Sequence, residues 1–114
     1  MDLLARHARA GTAAAGQPVR VLPVLTFHAL DGLGDTISFP PPRFRSGLAA
    51  LAGRGIRSAP LEDLARRLHA GESFTPRAVA LTFDDGYQTV YTEAFPVLAD
   101  LGMTATVFLC TGRE

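Results

Sequence analysis

The sequence predicts an α/β fold with a mostly parallel sheet. Short apolar runs rich in β-formers alternate with segments whose apolar residues recur at helical spacing. Glycine and proline separate the segments, and no run of tight hairpin turns joins one strand directly to the next. Two of the apolar runs end in residues that can do chemistry, His28 after the first and Asp84-Asp85 after a later one. In parallel sheets such residues gather at one rim, where ligands bind.

The elements follow in order. Residues 1–19 are rich in alanine, glycine and arginine and form a helical or loose arm ahead of a domain over residues 20–114. Arg20-Val21-Leu22-Pro23-Val24-Leu25-Thr26-Phe27 reads as a strand, with Pro23 suited to its first part or to an unpaired edge. Residues 31–42 hold Gly32, Gly34 and three consecutive prolines, which predicts a long connecting loop. Phe44, Leu48 and Leu51 then mark a helix closed by Gly53 and Gly55. Ile56-Arg57-Ser58 is a short extended piece. Ser58 is placed to cap a second helix, with Pro60 in its first turn and Leu61, Leu64 and Leu68 as its apolar stripe. Gly71 stops that helix.

A buried strand begins near Arg77 and runs through Ala78-Val79-Ala80-Leu81-Thr82-Phe83. A third helix is predicted over residues 92–101, with Pro96 in its first turn and Gly102 at its end. Thr104-Ala105-Thr106-Val107-Phe108-Leu109 supplies the last strand. Cys110 follows it and reads as a buried strand-end thiol.

Composition narrows the function. A chain of 114 residues holds one small domain, and 47% hydrophobic against 19% charged residues makes it globular. Its 11 basic and 11 acidic residues cancel, which argues against nucleic acid or an anionic membrane surface as partner. One cysteine excludes an internal disulfide. No apolar run is long enough to span a bilayer, and the first residues lack the apolar core of a signal peptide. As written, the sequence reads as cytoplasmic.

The chemistry concentrates at Asp84 and Asp85. Neighbouring carboxylates at a strand mouth repel and lose hydration, and a cation or proton between them relieves both costs. Side chains alternate along a strand, so the pair cannot aim one way while the backbone stays extended. Gly86 lets the chain turn there and admits a ligand close to the backbone. One carboxylate can then hold a metal while its neighbour takes a proton from water. Asp-Asp-Gly is also an ordinary turn sequence, and the preceding buried strand tips the reading toward a site. A haloacid-dehalogenase-type motif needs a second acid where Gly86 stands, and a calcium loop needs acids at alternate positions that do not follow Asp85. Of the three histidines, His7 lies in the arm and His69 near a helix end, both read as solvated. His28 is placed to line the same cleft as Asp85. Tyr87 either frames the cleft or packs.

These residues resemble a known family, the polysaccharide deacetylases of carbohydrate esterase family four. Val24-Leu25-Thr26-Phe27-His28 looks like its opening strand, and Phe44 through Gly55-Ile56 like the helix and turn that follow. Ala78 through Tyr87, with Thr82-Phe83-Asp84-Asp85-Gly86-Tyr87 at its centre, is similar to the first catalytic motif. Ala94-Phe95-Pro96-Val97-Leu98 and Gly102 through Leu109 are similar to its continuation.

The resemblance implies a deformed (β/α) barrel, here its amino-terminal portion and incomplete at the carboxyl end. It implies hydrolysis of N-acetyl, occasionally O-acetyl, groups on a polysaccharide or oligosaccharide. By the same resemblance Asp84 is the general base and Asp85 a ligand of a divalent metal, in the first place zinc. The family's second motif carries two metal-binding histidines a few residues apart, and this sequence has no such pair. Its arginine-bearing motif and late histidine are missing as well. The expectation is therefore a truncated deacetylase, weakly active or inactive by itself, with self-association through an exposed sheet edge. The alternative is a non-catalytic remnant that binds carbohydrate or a partner chain.

Overall fold

The computed structural model describes residues 22–72 and 77–112. The predicted arm over residues 1–19 lies outside the described residues. Its elements run β1 (Val24–Phe27), β2 (Ala29–Leu30), β3 (Ser38–Phe39), α1 (Pro41–Gly53), β4 (Arg57–Ser58), α2 (Leu61–His69) and β5 (Ala78–Asp84). A π-helical turn (Val90–Ala94), α3 (Phe95–Leu101) and β6 (Thr106–Phe108) complete the order. Every strand pairing is parallel, as the sequence predicts for an α/β chain.

β5 organises the sheet. On one flank it pairs with β1, from Val24 opposite Ala80 to Phe27 opposite Phe83. On the other, β4 lies beside its first residues and β6 beside its last. The two short strands are tied end to end: Ser58 Oγ accepts the Thr104 N–H at 2.8 Å, and Thr106 Oγ1 accepts the Leu61 N–H at 3.3 Å.

Alternation along β5 sorts its residues onto two faces. Val79, Leu81 and Phe83 join Leu25 and Phe27 of β1 against Phe44 and Leu48 of α1 and Val97 and Leu98 of α3. Phe27 is the hub of this layer, with ring centroids 5.2 Å from Phe39, 5.1 Å from Phe44 and 5.5 Å from Phe83. Ala78 and Ala80 face the other way and meet Leu64 of α2, together with Leu22, Val24, Ala59 and Leu61. The second face is thus apolar at its amino end. Toward its carboxyl end it turns polar, with Thr26 and Thr82 hydroxyls 2.9 Å apart.

Four expectations need correction. Residues 31–42 are not all loop: Ser38–Phe39 forms β3 against β2, and α1 already begins at Pro41. Prolines fit there because the first turn of a helix has no partner for its N–H groups, while the Pro40 carbonyl accepts from Arg43 and Phe44. Ser58 does not cap α2, whose N-cap is Pro60. Its hydroxyl goes to Thr104 instead, since β6 needs that acceptor more than the helix does. The third helical segment starts before residue 92, with the π-helical turn from Val90. Pro96 cannot donate to the carbonyl four residues back, and the widened turn ahead of it absorbs the lost bond and the ring. Cys110, finally, is exposed, because nothing among the described residues covers the far side of β6.

The apolar layer around Phe83, which is 0% exposed, makes a direct prediction. Phe83→Ala should lower unfolding stability by about 3–5 kcal/mol in urea titrations followed by circular dichroism. A loss below about 1 kcal/mol would mean that β5 is not the centre of the core.

Candidate active site

The β1–β5 register carries two side chains to the rim together. One residue beyond the Phe27–Phe83 pair lie His28 and Asp84, on the polar face opposite the phenylalanines. His28 Nε2 stands 3.4 Å from Asp84 Oδ2, with the side chains 35% and 40% exposed. The contact is a charge contact reached by solvent, so it orients both groups without sealing either.

Asp85 goes the other way. Its N–H donates to the Phe108 carbonyl at 2.8 Å, continuing the β5–β6 ladder beyond Asp84. Its φ is 75°, in the left-handed region, the one non-glycine residue in that region among those described. A left-handed Asp is less costly than most side chains there, because its short polar group bonds locally. Here Asp85 Oδ1 accepts from Cys110 Sγ at 3.2 Å. The turn therefore begins one residue earlier than the glycine suggested.

Gly86 follows with φ 67°. A Cβ added there would lie 2.6 Å from Leu109 Cδ2, so the position needs glycine for space as well as for backbone geometry. The Tyr87 carbonyl then accepts the Val90 N–H at 3.0 Å and opens the helical segment, while its ring stays 37% exposed rather than packing into the core. Thr89 Oγ1 accepts the Leu30 N–H at 3.0 Å and fastens that segment beside the strand that follows His28.

The two acids are thereby separated. Asp84 is held toward β1 by His28, and Asp85 toward β6 by Cys110. His69 is exposed at the end of α2, and His7 lies outside the described residues. Cys110 is the residue that the sequence reading passed over. Aligning the last strand with β5 in parallel would have found it, since Phe108 opposite Asp84 leaves Cys110 beside the turn at Asp85. Among the described residues, no group of three His, Cys, Asp or Glu side chains is placed to hold a metal ion. Asp85 offers one carboxylate, short of the three protein ligands of a catalytic zinc. The described residues do not complete a metal site.

What the arrangement can do follows from exposure. Asp84 is an ionisable oxygen base on an open rim with a neighbouring imidazole, suited to taking a proton from water or a hydroxyl. Asp85 is a second carboxylate kept apart on the other side of the same strand.

A family profile described as "Polysaccharide deacetylase" matches residues 71–114, the stretch that contains β5, both acids and β6. The chain is 31% identical over 88 residues to YxkH of Bacillus subtilis (strain 168), named as a polysaccharide deacetylase, covering 77% of this chain and 31% of that protein. Over 54 residues it is 37% identical to the poly-beta-1,6-N-acetyl-D-glucosamine N-deacetylase of Escherichia coli (strain K12), covering 47% of this chain and 8% of that one. Among solved structures, the Streptococcus pyogenes deacetylase PplD in complex with acetate superposes with a TM-score of 0.74 at 27% identity, over 84% of this chain and 45% of its own. IcaB from Ammonifex degensii superposes with a TM-score of 0.68 at 27% identity, over 77% of this chain and 37% of its own. The fold is the partial (β/α) barrel of these neighbours. The chain spans less than half the length of each relative.

The turn makes its own prediction. Gly86→Ala should cost more than about 1 kcal/mol, because it meets Leu109 and a disfavoured φ together. Asp85→Gly should instead hold or raise the melting temperature by relieving a left-handed side chain, while removing the carboxylate. A large destabilisation by Asp85→Gly in thermal melts would show that the Cys110 contact, and not the site, explains the aspartate.

Proposed function

Because this chain belongs to the polysaccharide deacetylase family, we propose that it supplies the Asp84–Asp85 side of an active site that hydrolyses acetyl groups, N-acetyl in the first place, from a polysaccharide. The observation that carries this reading is the separation of two adjacent carboxylates, one paired with His28 and one turned toward Cys110. A structural turn has no use for such a division. Two chemical roles side by side do.

In this reading Asp84 accepts the proton of a water whose oxygen attacks the acetyl carbonyl carbon. The carbon–nitrogen bond breaks, the sugar nitrogen takes up a proton, and acetate leaves. His28 holds the Asp84 carboxylate on the rim and keeps its neighbouring oxygen open to solvent. Acetate in the Streptococcus pyogenes structure and the name of the Escherichia coli relative both support acetyl removal as the chemistry. Deacetylases of this family are generally metal-dependent. The ion, zinc in our reading, would polarise the carbonyl and acidify the water, with Asp85 as one ligand and the others from outside the described residues. Gly86 and Tyr87 border the approach, Gly86 by leaving room above the backbone and Tyr87 by its exposed ring.

The lack of a three-donor group among the described residues favours one further reading, a segment that binds acetylated oligosaccharide without hydrolysing it. Acetate release from N-acetylglucosamine oligomers distinguishes the two. It is measured on a polypeptide that carries this sequence within a complete barrel, and on residues 1–114 alone. Asp84→Asn should lower kcat in the complete barrel by at least about 100-fold, and His28→Ala by less, with KM little changed. Residues 1–114 alone should stay at background. A rate indifferent to Asp84→Asn would sink the catalytic reading. Oligomer binding to residues 1–114 with no acetate released by either protein would favour the second.

A further inference from the structure

β6 is hydrogen-bonded on one side only. The Phe108 carbonyl turns to β5, where it accepts the Asp85 N–H, so alternation turns the N–H and C=O of Val107 to the open flank. Among the described residues no strand takes that flank. The side chain of Val107 stands on the same face as its partner Phe83, the face that α1 and α3 cover elsewhere. At Val107 the cover stops.

In its place is an open apolar groove of about 340 Å³, lined among others by Val90, Phe95, Leu98, Met103, Ala105 and Val107. Around it the apolar surface is unusually bare. Phe95 is 58% exposed, Val107 39%, Phe108 49% and Leu109 70%. Tyr91, 74% exposed, stacks on Phe95 with ring planes 8° apart and extends the patch along the helix. A strand edge and an adjoining apolar groove that share Val107 form one continuous surface, larger than isolated exposed apolar residues explain.

The surroundings specify what fits. Every pairing in the sheet is parallel, which calls for another parallel strand. The covered part of the same face is covered by helices, which calls for an apolar helix stripe beside α3. The PplD chain matches this one over 45% of its length, and more than half of it has no counterpart here. We propose that the β6 flank and the groove are one docking surface for a β-strand–α-helix unit of the kind that this unmatched part contains. Its strand pairs parallel with β6 through the Val107 backbone, and its helix fills the groove against Phe95, Leu98 and Met103. The proposal rests on the family likeness and the exposed surface and does not require the chemistry assigned to Asp84.

The test is association. Purified residues 1–114 are mixed with the separately produced part of Streptococcus pyogenes PplD that has no counterpart in this chain, and followed by sedimentation velocity and amide hydrogen exchange. A one-to-one complex is expected, with the Val107 amide protected only in the mixture. Val107→Asp and Phe95→Asp should each weaken it by at least about tenfold without lowering the melting temperature of the chain alone. Absence of a complex, or a complex indifferent to both substitutions, overturns the proposal. A dimer of residues 1–114 that Val107→Asp abolishes assigns the face to a second copy and overturns it too. Because acetate is not the readout, failure here leaves the deacetylase reading standing, and the reverse also holds.

Discussion

The register between β1 and β5 is the constraint on which the remaining structure depends. With Phe27 set opposite Phe83, the two rings enter one apolar layer with Phe39 and Phe44, and the residues that follow are forced onto the other face at the rim. A slip of one residue would bury His28 or Asp84 among phenylalanines and expose the rings to water. The burial of four aromatic side chains therefore also enforces the meeting of His28 with Asp84. Core and candidate site are two faces of the same pairing.

Around that pairing the chain uses short polar contacts to hold elements that would otherwise be marginal. β4 and β6 are strands of two and three residues, and Ser58, Thr104 and Thr106 stitch them into a single flank. The same economy holds at the turn after Asp84. A left-handed aspartate followed by a left-handed glycine bends the chain within two residues, with Leu109 packed over the space where a Gly86 side chain would lie. The strain is confined to the point where the two carboxylates must part, which is where strain serves function.

Much of this was legible beforehand. Parallel α/β order, the buried strand ending at Asp84, the helix carrying Phe44 and Leu48, and the place of His28 all follow from apolar periodicity and from the rim rule for parallel strands. Other features were not. Ser58 has the profile of a helix cap, and only the approach of Thr104 from a distant strand redirects it. Three prolines read as loop, although two of them open a helix whose first N–H groups have no need of partners. Cys110 reads as buried because free thiols usually are, and its exposure depends on what lies beyond β6.

The sequence by itself determined the local decisions: which segments are strand or helix, which residues are apolar enough for the core, and that an acidic pair closes the central strand. These depend on neighbours a few residues apart, where periodicity and turn chemistry act. Tertiary structure alone decided how the pair is used. Asp84 and Asp85 are identical in type and adjacent in chain, yet one meets a histidine from β1 and the other a thiol from beyond β6. That difference arises from pairings 56 and 25 residues apart, and the distance between chain neighbours cannot encode it.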